Sequence, residues 1–277
     1  MYWEVKIGLA FPTLTNIIIS VVFLVVGVLI VHLLSKVLKL RPKSITIPDP
    51  RKEMTPVFLV IIVTALITSA LNVFMNTVVE PTFLLDKRSP FTVDYIDVLF
   101  VAFGYAIGFL PLIIVMKRNR QNLGSIGING KDRQRMLALG FILSAIYITI
   151  VGFLAPSLGG GFKGFSPSLA YGFIFYAILG FSEEIVWRGY VQTRLIAYSG
   201  TAKGLMTTAL LFSLLHLPAR YYLFSGVVLE AFASVLLLLP VSLLFGYIML
   251  KSQNIIPSSI FHLLMNLSTL FWQIPPF

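Results

Sequence analysis

The chain reads as an all-α polytopic membrane protein, a bundle of about eight transmembrane helices. Three observations lead there. Of its 277 residues, 57% are hydrophobic and 12% are charged, against about 45–50% and about 25% in a soluble domain. The mean hydropathy is +0.92. The apolar residues also fall into runs of about 20, the length a helix needs to cross a hydrocarbon core about 30 Å thick.

Eight such runs are expected, near 13–35, 55–79, 95–116, 136–155, 168–187, 204–222, 223–250 and 255–273. Met1–Pro12 lacks a basic region and a small-residue cleavage site, so the first run is expected to be a retained span, not a signal peptide. The fifth ends in polar residues. The seventh is long, and Pro240 is expected to kink it by removing a backbone hydrogen bond. The eighth carries Pro257 near its start, where proline is tolerated. The whole chain, 1–277, is expected to form a single integral membrane domain. Its motif-bearing core covers about 136–273, and 1–135 supply N-terminal helices of the same domain.

Loop charge sets orientation, because basic residues stay in the cytosol. Of the 21 Lys and Arg residues, sixteen fall in the loops after spans one, three, five and seven. The other five are Lys6, Lys87, Arg88, Lys163 and Arg220. This split predicts both termini outside and the basic loops in the cytosol. The net charge of +10 then reflects topology and contact with anionic lipids. No nucleic-acid partner is expected. Cysteine is absent, which excludes disulfides, thiol nucleophiles and thiolate metal sites.

Against this apolar background, three polar motifs stand out: Glu183-Glu184-Ile185-Val186-Trp187-Arg188, Phe212-Ser213-Leu214-Leu215-His216, and His262-Leu263-Leu264-Met265-Asn266. Ionisable groups at mid-span cost roughly 2.5–3.5 kcal/mol each on insertion scales, so their presence points to chemistry or transport. Residues four apart share a helix face. Glu184 and Arg188 can therefore pair, as a structural support. Glu183 points about 100° away from Glu184 and is free to face something else. Phe212 with His216, and His262 with Asn266, also share faces. Three helices can thus deliver a carboxylate, two imidazoles and a carboxamide to one chamber. Such a set suffices for hydrolysis: a carboxylate takes a proton from water, a histidine aligns that water, and His with Asn donate to the oxyanion.

The ordered set Glu-Glu-x-x-x-Arg, Phe-x-x-x-His, His-x-x-x-Asn resembles the type II CAAX prenyl endopeptidases, also called CPBP or ABI intramembrane proteases and including the Ras-converting enzyme. The likeness runs from Gly180 to about Leu267; the four N-terminal spans carry no matching motif. It implies an eight-helix protease whose site opens to the cytosol. Glu183 would be the base, assisted by His216, with His262 and Asn266 as the oxyanion site and Glu184, Arg188 and Phe212 as support. Members of the eukaryotic branch remove the last three residues from a prenylated Cys-a-a-X protein. Prokaryotic relatives include peptide-processing and bacteriocin-immunity roles. The expected partners are a prenylated or membrane-anchored protein substrate and membrane lipids. The expected location is the cell membrane in a prokaryote or the endoplasmic reticulum membrane in a eukaryote.

Other readings compete with this one. No His-Glu-x-x-His is present. No cofactor or metal is expected, although Glu183, His216 and His262 form an alternative Glu/His₂ ligand set. Gly180-Phe181-Ser182 superficially resembles the Gly-x-Ser of rhomboid proteases, but two glutamates follow at once. Asp94 and Asp97 are expected to be an interfacial pair, not a dyad. Glu230 is expected to be a solvated or hydrogen-bonded end residue, and His32 an interfacial one. A non-enzymatic immunity or scaffolding factor and a proton-coupled transporter are the alternatives from other classes. Repeated halves would favour the transporter, and none is visible. Finally, His216 and His262 share a depth only if the sixth helix starts above the membrane surface or tilts strongly; the fifth and sixth helices are expected to protrude into the cytosol.

Overall fold

The computed structural model describes residues 14–42, 44–74, 77, 93–157, 160–224 and 226–273. The Met1–Pro12 reading, Lys6, Lys43, Lys87, Arg88 and most of the expected span end at 75–79 lie outside the described residues.

The chain is an integral multi-pass, all-helical protein. Its helices are α1 (Leu14–Val37), α2 (Pro50–Phe74), α3 (Tyr95–Gly108), α4 (Leu110–Arg118), α5 (Arg133–Ser157) and α6 (Ser168–Glu183). A π-helix, Glu184–Gln192, follows α6 directly. Then come α7 (Thr193–Ser199), α8 (Thr201–Leu215), α9 (Leu217–Leu223), α10 (Val228–Leu236), α11 (Leu239–Ser252) and α12 (Ile255–Phe271). Two residues on each side, Gly161–Phe162 and Trp272–Gln273, form a short antiparallel ladder.

Among the described residues, seven helical stretches are long and apolar enough to cross a membrane. The expected eighth span is present as a shorter apolar helix, Ile255–Phe271. The last helix, α12, has 17 residues. It is walled in by α6 and α5, and Ile255, Pro257 and the run from Ser258 to Leu263 are buried. A helix enclosed by protein need not match the lipid thickness. By contrast, α1 presents Leu29, Leu33 and Val37 outward.

Prolines set the breaks. Pro111, Pro218 and Pro240 each sit in the first turn of a helix that restarts after an interruption, α4, α9 and α11. A proline there loses no hydrogen bond it could have made. The kink expected at Pro240 is thus a break at Leu237–Leu238, after α10. Asn254 caps α12, its side-chain oxygen accepting from the Ile256 amide at 2.9 Å. Asp94 and Asp97 form a reciprocal capping box at the start of α3.

The fifth span also differs from its expected 168–187. Helix continues from Ser168 to Ser199, 32 residues, or about 48 Å at 1.5 Å per residue. Arg188 and Arg194 therefore belong to a helix and are fully buried, not to a cytosolic loop. Between this helix and α8 only Gly200 intervenes, with φ 86°, a conformation glycine adopts without strain.

Two apolar clusters form the core. One joins Val57 and Val60 of α2, Leu112 and Val115 of α4, Trp187 and Tyr190 of the π-helix, and Phe212 of α8. The other joins Val31 of α1, Leu139 and Leu143 of α5, Phe245 and Ile248 of α11, and Phe261 of α12. Helix contact inside lipid relies on close backbone approach at small residues. At Gly189 an added Cβ would stand 2.5 Å from the Ile126 carbonyl oxygen. At Gly180 it would stand 3.3 Å from the Leu263 nitrogen and 3.6 Å from the His262 Cβ. Gly180 thus lets α6 bring its glutamates against α12.

Candidate active site

The three motifs meet at the seam of the two clusters. α6 ends on Glu183, and the π-helix begins on Glu184. π-Helices are rare and are frequently found at functional sites. Glu183 and Glu184 are both buried, as are Arg188 and His262.

Glu184 and Arg188 form the ion pair that their spacing predicts, Nη1 to Oε1 at 3.6 Å. The guanidinium lies 4.1 Å over the Phe212 ring and 5.3 Å from the centre of the Phe245 ring, which gives cation–π contact to both clusters. Its Nη2 donates to Ser242 Oγ at 3.1 Å. Glu184 also meets His262, whose Nδ1 lies 3.3 Å from the same Oε1.

His262 therefore sits between the two acids. Its Nε2 faces Glu183 Oε2 at 3.8 Å, and its ring stacks on Phe245 with centroids 4.6 Å apart and planes at 24°. The Nδ1 contact to Glu184 orients the ring so that Nε2 is presented toward Glu183. Carboxylate support of one ring nitrogen fixes what the other can do.

His216 sits at the junction where one helix ends at Leu215 and the next starts at Leu217. Helix α8 tightens at its end, so the His216 amide bonds to the Ser213 carbonyl at 3.0 Å. That leaves the Phe212 carbonyl to the His216 imidazole, with Nδ1 2.9 Å away. A carbonyl only accepts, so Nδ1 carries the proton. In the neutral ring Nε2 is then an acceptor, able to take a hydrogen bond from water. Phe212 packs edge-on against both histidine rings, with centroids 4.8 Å from His216 and 6.5 Å from His262. The depths of the two motifs therefore agree. The stretch Ser168–Ser199, about 48 Å long, exceeds a 30 Å core by about 18 Å.

Glu183 has a partner that sequence reasoning missed. The Tyr105 hydroxyl, from α3, donates to Glu183 Oε1 at 2.8 Å. The other oxygen, Oε2, is buried and has no hydrogen-bond partner among the described residues. It is the atom that faces His262. No signal in the sequence marks Tyr105, since a tyrosine in an apolar span is ordinary.

Asn266 lies one turn beyond His262, half-buried. Its backbone carbonyl accepts from Thr269 Oγ1 at 2.7 Å, and its carboxamide makes no hydrogen bond to the described residues. Ser182, next to the acids, is buried. Glu230 lies in the first turn of α10, half-buried. The carbonyl of His32 accepts from Ser35 Oγ in α1. Among the described residues, no three His, Cys, Asp or Glu side chains are grouped so as to hold a metal ion.

Residues 165–268 match the protein-family model described as Type II CAAX prenyl endopeptidase Rce1-like. That segment is similar to the Rce1-like domain. It spans α6, the π-helix and most of α12, and contains all three motifs, as the resemblance of those motifs implied. The Rce1-like match implies a protease of the CAAX type. Tyr105 and the first five helices lie outside it. No curated protein matches the chain.

Proposed function

We propose that the protein is an intramembrane endopeptidase that cleaves near the C-terminus of a prenylated or otherwise membrane-anchored substrate, using water activated by Glu183. The observation that carries this reading is the buried, unpartnered Glu183 Oε2, facing His262 Nε2 at 3.8 Å. A general base needs a free lone pair within reach of the proton it abstracts, and buried polar atoms without partners are rare enough to need a reason.

In this reading, water binds between Glu183 Oε2 and His216 Nε2. Its oxygen attacks the scissile carbonyl while its proton passes to Glu183. The carbonyl oxygen gains charge and accepts hydrogen bonds from His262, donating through Nε2 when doubly protonated, and from the Asn266 carboxamide. The carbon–nitrogen bond then breaks, and Glu183 returns the proton to the leaving amine. Glu184 orients His262 throughout. The rings of Phe212 and Phe245 keep bulk water away, which strengthens every charge interaction in the site.

The test is cleavage of a farnesylated Cys-a-a-X peptide by the purified protein, beside the same peptide without its lipid and beside Glu183→Ala. Cleavage is expected with the lipidated peptide and the unaltered protein alone. Absence of cleavage by the unaltered protein across prenylated and acylated peptides would sink the assignment. The site is expected to open to the cytosol, as the loop charges favour. The chain has no cysteine, so Arg133→Cys provides a unique label, and an impermeant maleimide should reach it only from the cytosolic face.

A further inference from the structure

We propose that Tyr105 is a positioning residue that selects which oxygen of Glu183 acts as the base. The inference rests on the protease reading above and adds to it a residue 78 positions before Glu183 in the chain, outside the Rce1-like segment.

A glutamate carboxylate has two equivalent oxygens on a side chain with three rotatable torsions. Unsupported, it would present either oxygen to the substrate. Here the phenol holds Oε1 at 2.8 Å, a charge-assisted hydrogen bond of the stronger kind when the acid is ionised. With Oε1 engaged, Oε2 is the atom left without a partner and faces His262. The site thus separates one oxygen that is held from one that is free. The phenol is itself well fixed. Helix α3 packs along α6, and the Tyr105 ring lies against Phe109, with centroids 6.4 Å apart. The buried glycine before it, Gly104, lets α3 close on α2, because an added Cβ there would stand 2.7 Å from Leu71 Cδ1. The bland alternative is that Tyr105 fastens α3 to α6 and nothing more.

Tyr105→Phe removes one oxygen and keeps the ring. Its expected effect is a fall in kcat of about tenfold to hundredfold, the range for a hydrogen bond to a charged group. KM should stay within about twofold and thermal stability near that of the unaltered protein. Replacing Tyr105 by a fluorinated tyrosine, whose phenol is a stronger donor, should move kcat in a graded way that a fastening role would not. A second measurement does not depend on turnover. Infrared difference spectra of unaltered protein and Tyr105→Phe should show a shifted carboxyl band, and Glu183→Gln should abolish that band. An unmoved band, or a lower melting temperature with unchanged kcat per folded molecule, overturns the proposal. A shifted band in a protein that cleaves no peptide retains the Tyr105–Glu183 bond and discards the protease reading, so the two failures are distinguishable.

Discussion

Arg188 and Arg194 lie six residues apart on one continuous helical stretch, and both are fully buried. Their surroundings differ. Arg194 donates to the Ser125 carbonyl at 2.8 Å, Thr193 Oγ1 at 2.9 Å and Gln121 Oε1 at 3.0 Å. It stacks on Tyr190 at 4.2 Å and faces Glu53 at 3.6 Å. Glu53 is held in turn by Gln121 at 2.7 Å. Arg188 has hydrogen bonds only through Nη2 to Ser242; its Nε and Nη1 have none. It depends on one carboxylate and two aromatic faces. The lesson is that burial alone does not mark a functional charge. A buried arginine with a nearly complete donor set ties loops to helices. One that is under-satisfied and beside an acid with a free oxygen supports the site proposed above.

The largest expected effect falls on the incomplete side. Glu183→Ala, His216→Ala and His262→Ala should each abolish peptide cleavage without unfolding the protein, as read by cleavage assay and thermal melting. Near-normal turnover by any one of them would remove that residue from the mechanism. Next, Glu184→Gln should destabilise the protein by roughly 3–5 kcal/mol, because it leaves the Arg188 charge buried without its partner. Adding Arg188→Met should recover part of the stability but little activity, since Glu184 also orients His262. If the single variant is as stable as the unaltered protein, Arg188 and Glu184 do not depend on each other as described.

Asn266→Ala should follow, with kcat reduced about 10²–10³-fold, equivalent to about 2.7–4 kcal/mol, and substrate binding nearly intact. Asn266→Asp should be worse near neutral pH, because a carboxylate would repel the developing oxyanion. A lowered melting temperature with unchanged kcat would instead make Asn266 a fastening residue. The smallest change in activity belongs to the complete side. Arg194→Lys loses the planar fork that reaches Gln121 and Ser125 together, and should cost about 1–3 kcal/mol of stability. Turnover per folded molecule should not change. A selective loss of kcat in that variant would end the distinction between the two arginines.

The site was legible where polar residues are rare. Two glutamates, one arginine and two histidines are conspicuous in apolar helices, and four-residue spacing was enough to pair Glu184 with Arg188. Other parts were hidden for identifiable reasons. Tyr105 is one of 11 tyrosines, and nothing in its helical period singles it out. The link from His216 to the Phe212 carbonyl depends on the break before Pro218, a backbone event that side-chain spacing does not report. Arg194 read as a loop charge because the fifth helix was expected to stop near 187, at the usual membrane length. The fold followed from run length, except for α12. Its 17 residues are shorter than a usual span and are packed against α5 and α6, and composition does not separate enclosure by protein from lipid exposure.

The π-helix between these two regions sets their relative rotation. Each i→i+5 turn takes up more residues than an α-turn would, so the groups after Gln192 are phased differently around the axis from those before Glu183. Deleting Val191 from the segment, with the winding otherwise kept, should turn everything downstream by about 100°. The acids would stay against His262, while Arg194 would swing away from Gln121 and Ser125. Inserting an alanine at the same point would turn it the other way. The segment links the half-helix that carries the proposed site to one that ties loops to helices, and its length in residues sets their relative rotation.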